Sequence, residues 1–248
     1  MIFDGHTHMT SELCSIPGLN LKFEWNTMET WLAADPGRKC VVMPRLFQFC
    51  DSARLNVEFF RRLDRCSMKS RVFPFLWIHP DQLQRDHFKQ FAFSGFKFHP
   101  SVSQTTLTEH RDILALCEKH KKPVLVHCGR NEKSRIDYVL KVNEEYPDLT
   151  FICAHMGGLA TDLIIRAYGL LLRSNYVDNI YLDTSGCFYP ELIQKAVKLL
   201  GPDRILFGTD RPFHSYEVSL HTVNCCRFDR KTKADILSMN LKRVLSHT

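Results

Sequence analysis

Ile2-Phe3-Asp4-Gly5-His6-Thr7-His8 is an apolar start that runs directly into two histidines, and the fold can be worked out from this stretch. Side chains alternate along an extended strand, so His6 and His8 point to the same side. Both imidazoles can therefore reach one cation, and neutral imidazole is a common protein ligand of zinc and related metals. A histidine pair alone is weak evidence for a metal site, so the prediction depends on whether other residues of the chain could bind the same ion.

Further residues of metal-binding type come directly after other apolar runs. They occur in Val124-Leu125-Val126-His127, Phe151-Ile152-Cys153-Ala154-His155 and Ile205-Leu206-Phe207-Gly208-Thr209-Asp210. Because these runs are continuously apolar rather than alternating, they are typical of parallel strands that are buried on both faces.

Short apolar runs alternate with longer amphipathic segments over the whole chain. The eight predicted strands are Ile2–His6, Cys40–Pro44, Val72–Ile78, Gly95–His99, Pro123–His127, Thr150–His155, Ile180–Thr184 and Ile205–Gly208. The predicted helices are Thr27–Ala34, Ser52–Cys66, Asp81–Phe91, Leu107–His120, Glu132–Tyr146, Leu159–Arg173 and Pro190–Leu200. Repeated strand–helix units indicate an α/β fold, and eight of them in 248 residues predict a (β/α)8 TIM barrel. We expect one domain over residues 1–248, with residues 213–248 as its C-terminal helical part.

Composition narrows the class of protein. The net charge of +6 is modest, and basic clusters such as residues 119–122 are typical of solvated helix ends, so we expect no nucleic acid partner. The ten cysteines are scattered and include no Cys-x-x-Cys pair, as expected for thiols in a reducing compartment. The apolar start is too short for a secretory signal, and no segment reaches the ~20 apolar residues that span a bilayer. We therefore expect a cytoplasmic protein without membrane contact.

A closed barrel would bring these scattered polar residues together. Active sites of (β/α)8 enzymes lie at the C-terminal ends of the strands, and the polar residues singled out above all fall there. Several imidazoles and a carboxylate at one edge predict a metal site. Its candidate residues are His6, His8, His127, His155 and Asp210.

The motifs together resemble the amidohydrolase superfamily, and more narrowly its amidohydrolase-related branch of small metal-dependent hydrolases and decarboxylases. They are Phe-Asp-Gly-His-Thr-His, Gly-Phe-Lys-Phe-His-Pro, Val-Leu-Val-His-Cys-Gly, Cys-Ala-His-Met-Gly-Gly and Phe-Gly-Thr-Asp-Arg-Pro, in this order from the first strand to the eighth. The resemblance implies that His6, His8 and His127 ligate metal, with Asp210 at the same site. It implies for His155 either a second metal position or a contact with the developing negative charge of the substrate.

The mechanism expected from such a site is hydrolysis by a metal-activated water. Three nitrogens and a carboxylate leave a coordination position for water, and the cation lowers the pKa of that water towards about 7. Asp210 would act as general base and His155 would stabilise the oxyanion, so both are catalytic candidates. Zinc is the expected metal, as one or two ions, with manganese, iron or nickel as alternatives.

Other polar residues near the strand ends are candidates for binding a small-molecule substrate. Lys97 is open to three interpretations: a carboxylated ligand that bridges two metals, an anchor for a substrate carboxylate, or a barrel-interior residue. We favour a charge or substrate contact over carboxylation. Arg130 and Arg211 indicate an anionic substrate, because guanidinium binds carboxylate or phosphate oxygens in pairs. The full set of substrate-binding candidates is Lys97, His99, Arg130, Arg211 and His79.

Three alternatives to a hydrolase of amides, esters or lactones stay open. The first is a non-oxidative decarboxylase on the same scaffold, in which Asp210 protonates carbon. The second is a TatD-like metal-dependent deoxyribonuclease, which is disfavoured because Lys97 stands near the place of that branch's usual acidic residue. The third is a non-catalytic barrel that binds a ligand at its rim. The oligomeric state is equally open, a homo-oligomer included.

Overall fold

The computed structural model describes residues 1–9, 24–45, 51–80, 87–174 and 177–246. Within these ranges, eight strands form one parallel sheet in the order of the sequence. The strands are β1 (Ile2–Met9), β2 (Arg38–Pro44), β3 (Val72–Ile78), β4 (Gly95–Phe98), β5 (Val124–Val126), β6 (Phe151–Cys153), β7 (Ile180–Asp183) and β8 (Ile205–Leu206).

Backbone hydrogen bonds join the segment after β8 to β1. The N–H of Gly5 donates to the carbonyl of Phe207 at 2.8 Å, and the N–H of Asp210 donates to the carbonyl of His6 at 2.7 Å. The N–H of His8 donates in turn to the carbonyl of Arg211 at 2.7 Å. The sheet is therefore nearly closed on itself, which confirms the prediction of a (β/α)8 TIM barrel.

Helices alternate with the strands along the described chain up to β8, and three more helices follow β8. They are α1 (Trp25–Ala33), α2 (Ser52–Leu63), α3 (His87–Gln90), α4 (Pro100–Ser103), α5 (Arg111–Lys119), α6 (Ile136–Glu145), α7 (Thr161–Leu171), α8 (Pro190–Leu200), α9 (Tyr216–Cys225), α10 (Arg230–Ala234) and α11 (Asn240–Ser246). Local chemistry fixes several of their ends: the Asp51 side chain accepts from the Arg54 N–H at the start of α2, and α8 begins with Pro190. The expected helix Asp81–Phe91 lies partly outside the described residues, since 81–86 are not among them.

Several strands end earlier than the apolar runs predict. Strand β5 stops at Val126 and β6 at Cys153, so that His127 and His155 lie in the loops that follow. The physical reason at β6 is a turn in the backbone, because His155 and Met156 have φ angles of 59° and 54°. Such left-handed angles cannot continue an extended strand.

The core has an outer and an inner layer. Outer residues fill the space between strands and helices. The inner layer is a second buried cluster made of Phe3, Val41, Met43, Phe75, Leu125, Ile152, Ala154, Leu206, Leu241 and Val244. Leu241 and Val244 come from α11, and Leu241 approaches Gly5 so closely that a Cβ there would lie 3.2 Å from its Cδ2 atom. The last helix thus completes the layer that the strands surround.

The cysteines and the lengths of the helices bear on two expectations from the sequence. Every cysteine in them is a free thiol: Cys40, Cys66, Cys117, Cys128, Cys153, Cys187, Cys225 and Cys226. No helix in the described part of the chain is both long and apolar enough to cross a membrane.

Candidate metal centre

His6, His8 and Asp210 form the group of ligand-type side chains in the described residues that could hold a metal ion. The Nε2 atoms of the two histidines lie 3.1 Å apart. Asp210 Oδ1 lies 3.3 Å from His6 Nε2 and 3.2 Å from His8 Nε2. Ligands held about 2.0–2.1 Å from a tetrahedral zinc are separated by roughly 3.3 Å, so this triangle has the right size.

Hydrogen bonds on the far side of each ring fix which nitrogen carries the proton. His6 Nδ1 lies 2.9 Å from Asp183 Oδ2, and His8 Nδ1 lies 3.3 Å from the Pro44 carbonyl. A carboxylate and a carbonyl only accept, so both Nδ1 atoms donate and both Nε2 atoms keep a lone pair. Burial, followed by the charge of Lys97, lowers the pKa of His6 to about 4, and burial also lowers the pKa of His8. Both rings are therefore neutral near pH 7.

The facing atoms at the centre of the group are consequently all electron donors. Two imidazole lone pairs and a carboxylate oxygen repel one another unless a cation lies between them. Although burial alone would raise the pKa of Asp210, that pKa lies well below its usual range, so the carboxylate is ionised. This donor set fits a divalent metal, and the oriented Nδ1 partners are those that metal-binding histidines usually have.

Asp210 reaches the site through an unusual backbone conformation. Its φ angle is 59°, a left-handed value that is uncommon outside glycine and is most easily adopted by Asp and Asn. The hydrogen bond from its N–H to the His6 carbonyl, already noted at the barrel closure, holds the residue beside β1. The sequence Gly208-Thr209-Asp210 thus turns the carboxylate towards the two histidines directly after β8.

Lys97 brings a positive charge into the same place. Its side chain is fully buried on β4, and its Nζ lies 3.0 Å from His6 Nε2. Because that nitrogen carries a lone pair, Lys97 is the donor. Burial lowers the pKa of Lys97 to about 8, against the opposing pull of Asp210 and Asp183. One proton of the ammonium therefore points at the lone pair that a metal would use.

Three more of the histidines predicted for the site, His99, His127 and His155, lie beside the group of His6, His8 and Asp210. His155 Nε2 lies 3.1 Å from His127 Nδ1, and the His127 ring stacks on that of His99 with centroids 3.8 Å apart. The ring of His155 is 5.5 Å from that of His6. Burial lowers the pKa of His99 and His127 well below the usual value. His127 and His155 thus adjoin the three-residue group without belonging to it.

The remaining predicted substrate contacts are placed differently. His79 is buried directly after β3. The guanidinium of Arg211 lies 5.2 Å from the ring centres of both Trp31 and Tyr216, which come from α1 and α9. Arg130 is exposed and lines a groove with residues of α6 and α7. The structure therefore does not bring Arg130 or Arg211 to the metal candidates.

Two charged residues near the site were missed by the sequence analysis. Asp183 ends β7 and holds His6, and the signal for it was its place at a strand end, the criterion that found His155. Arg45 follows β2 and is only 3% exposed, with its guanidinium 4.5 Å from the Phe213 ring centre. Burial lowers the pKa of Arg45, and the charge of Asp210 opposes that change. Arg45 therefore adds to the positive charge around the centre.

The amidohydrolase family model matches residues 4–246, and this chain belongs to that family. No curated protein sequence matches the chain.

Solved structures share its fold at low sequence identity. A 2,6-dihydroxybenzoate decarboxylase bound to 2,6-dihydroxybenzoate has 19% identity and a TM-score of 0.75, with 99% of this chain and 98% of that one covered. A dihydroxybenzoic acid decarboxylase from Polaromonas, with bound manganese and the inhibitor 2-nitroresorcinol, has 14% identity and a TM-score of 0.75, covering 99% and 96%. A probable 2-pyrone-4,6-dicarboxylic acid hydrolase from Acinetobacter baumannii, with citric acid bound, has 14% identity and a TM-score of 0.73, covering 99% of both chains.

Proposed function

We propose that this protein is a metal-dependent hydrolase that acts on the amide, ester or lactone bond of a small anionic molecule. The observation that carries the proposal is the triangle of His6 Nε2, His8 Nε2 and Asp210 Oδ1, with sides of 3.1–3.3 Å and lone pairs on all three atoms. Two imidazoles and one carboxylate favour zinc, while the manganese of the Polaromonas enzyme supports a wider choice of divalent ions.

Each residue of the centre has a distinct task in this proposal. A bound divalent metal supplies an activated water or polarises a substrate oxygen. Asp210 holds the ion and acts as general base, although its low pKa makes it a weak one. His155 offers a second proton acceptor once His127 binds metal. Its Nδ1 donates to the Ser185 hydroxyl at 2.9 Å, and its Nε2 lone pair accepts from His127 Nδ1 at 3.1 Å in the metal-free arrangement.

The positive charges beside the centre support an anionic substrate. The Lys97 ammonium is buried 3.0 Å from His6, and Arg45 is buried where its charge acts on Asp210. A buried cation in a site of low polarity attracts a carboxylate more strongly than the same cation in water. We therefore assign Lys97 to the substrate's acidic group, with His99 and His79 as further contacts and His127 as an additional ligand once metal is present.

Decarboxylation is the second candidate reaction, and two specific observations favour it. Decarboxylases of dihydroxybenzoic acids share the fold over 99% of this chain. The buried Lys97 charge would also bind a substrate carboxylate next to the metal. In this variant of the mechanism, the ionised Asp210 would first accept a proton from a water or a substrate hydroxyl group at the site and would then deliver it to the carbon that carbon dioxide leaves.

We further propose a cytoplasmic setting. The free thiols in the described ranges support a reducing compartment, since most of them are buried between strands and helices where they pack as small apolar groups.

The test begins with elemental analysis of protein purified without chelators or a metal-binding tag. We expect near-stoichiometric zinc or another divalent ion in the wild type and its loss in a His6→Ala/His8→Ala double variant with an unchanged circular dichroism spectrum. Folded wild-type protein that holds no metal and takes up none would contradict the proposal and favour a ligand-binding barrel.

The reaction type needs a second assay on the metal-loaded protein. Panels of lactones, esters, amides and aromatic carboxylic acids are incubated with wild type and with the double variant. Release of carbon dioxide identifies the decarboxylase, whereas a new carboxylate without carbon dioxide identifies the hydrolase. Activity that persists in the double variant would exclude this site as its source.

A further inference from the structure

Asp183, the last residue of β7, is a fully buried carboxylate whose two oxygens serve different partners. Oδ1 accepts from the backbone N–H of His155 at 3.0 Å, from the backbone N–H of Ser185 at 2.9 Å and from the Ser185 hydroxyl. Oδ2 accepts from His6 Nδ1 at 2.9 Å.

These contacts fix the direction of a longer chain of hydrogen bonds. Backbone N–H groups can only donate, so Oδ1 must face them and Oδ2 must face His6. The Ser185 hydroxyl gives its proton to Asp183, so its oxygen accepts from His155 Nδ1 at 2.9 Å. The Ser185 carbonyl, 3.2 Å from the same nitrogen, is a second acceptor. Both histidines are thereby protonated on Nδ1.

We propose that Asp183 is a positioning residue that sets the tautomers of both His6 and His155, so that each presents the lone pair of Nε2. For His6 that lone pair faces the candidate metal, and for His155 it faces His127 Nδ1 at 3.1 Å and serves as a proton acceptor once that contact opens. The functional consequence rests on the proposed function, but the tautomers themselves do not. One carboxylate that touches neither metal nor substrate thus prepares a ligand on β1 and a base after β6.

An Asp183→Asn substitution separates this role from mere packing. The amide oxygen must keep facing the N–H groups of His155 and Ser185, so the amide NH2 takes the place of Oδ2. It then donates to His6 Nδ1, which has to accept, and the His6 proton moves to Nε2. The metal-binding lone pair is lost, although the side chain keeps almost the same shape. Loss of such an oriented partner typically weakens metal binding about 10–100-fold.

Ser185→Ala is the companion variant. It removes the hydroxyl that links Asp183 to His155, which also lies 3.2 Å from His6 Nδ1, but it leaves the bond between Asp183 and His6. We expect the His6 tautomer to stay unchanged and zinc affinity to change less than about threefold, on the order of the weaker hydrogen-bond effects. An Asp137→Asn variant on α6, where Asp137 pairs with Arg166 at 2.6 Å, is the control for the same chemical change at a more exposed position.

The experiment measures histidine tautomers by 15N NMR in metal-free protein near neutral pH, and zinc affinity by chelator competition. We expect Nδ1–H for His6 and His155 in the wild type, Nε2–H for His6 in Asp183→Asn, and about 10–100-fold weaker zinc binding in that variant alone. Wild-type His6 or His155 protonated on Nε2 would overturn the inference without any variant. So would a folded Asp183→Asn protein with unchanged His6 signals and zinc affinity. If the wild type shows the expected tautomers but binds no zinc, the positioning role of Asp183 is supported and the proposed function is rejected.

Discussion

Replacing Lys97 with methionine is expected to tighten metal binding, because the lysine and the metal compete for the same lone pair. Its ammonium donates to His6 Nε2 over 3.0 Å and is fully buried, so it cannot move into solvent while keeping its charge. Metal can therefore bind the substrate-free protein only after Lys97 loses its proton, and the carboxylate of a bound substrate would restore the ammonium by pairing with it. Methionine is similar in length and unbranched, and it carries no proton to lose.

The size of the effect follows from the pKa of Lys97, which burial lowers to about 8. At pH 7 the lysine is one unit below that value, so removing its proton costs ~1.4 kcal/mol. Zinc should accordingly bind the Lys97→Met variant about tenfold more tightly than the wild type at pH 7. Metal binding releases a proton from the wild type, so its affinity should rise about tenfold per pH unit up to pH 8 and then level off.

Chelator competition with zinc from pH 6 to pH 9 measures both quantities. Lys141→Met on the exposed side of α6 is the matched control and should follow the wild type. Weaker binding in Lys97→Met would refute the reasoning, because it would make Lys97 a ligand, either as the free amine or after carboxylation. An intact-mass measurement distinguishes these two cases. An unchanged pH slope in the variant would assign the released proton to another group.

Two further substitutions test the burial of a carboxyl group and the packing of a glycine in the barrel. Burial raises the pKa of Asp4 from 3.8, its value in the unfolded chain, to about 7 in the folded protein. The contribution of Asp4 to stability therefore falls as the pH rises from about 3.8 to about 7. In urea unfolding, the free energy of unfolding of Asp4→Asn should rise relative to that of the wild type by up to a few kcal/mol over that pH range. Above it the difference between the two proteins should stay constant. A difference that is constant over the whole pH range would contradict this prediction. A Cβ on Gly95 would lie 2.4 Å from the buried Phe75 ring, so Gly95→Ala should cost about 1–3 kcal/mol or more and lower Tm by several degrees. Adding Phe75→Leu should restore part of the loss, and a double variant no more stable than Gly95→Ala would show that this contact is not the cause.

The barrel could be predicted from the sequence because each strand is recognisable within a short stretch of residues. Continuous apolar runs mark strands buried on both faces, and their order along the chain is also their order in the sheet. The grouping of His6, His8 and Asp210 followed from the same rule, since parallel strands place their C-terminal ends at one edge.

The features that the sequence did not reveal depend on contacts between distant elements. Arg211 lies next to Asp210 in sequence, yet aromatic rings from α1 and α9 take up its guanidinium. The orientation of His127 depends on its stacking on His99, which directly follows β4, and on its contact with His155. Asp183 lies near the end of a predicted strand, but only the three-dimensional structure shows that His6 faces it.

The packing of α11 into the inner layer has a consequence for how the protein is made. Phe3 and Gly5 leave the ribosome more than 200 residues before Leu241. The space inside the barrel therefore lacks part of its filling until α11 is synthesised, and the partners of β1 after β8 also lie more than 200 residues further along the chain. Pairings of such long range slow folding and leave apolar surface open to aggregation in the meantime. The apolar surface inside the barrel is therefore exposed to aggregation until α11 has left the ribosome.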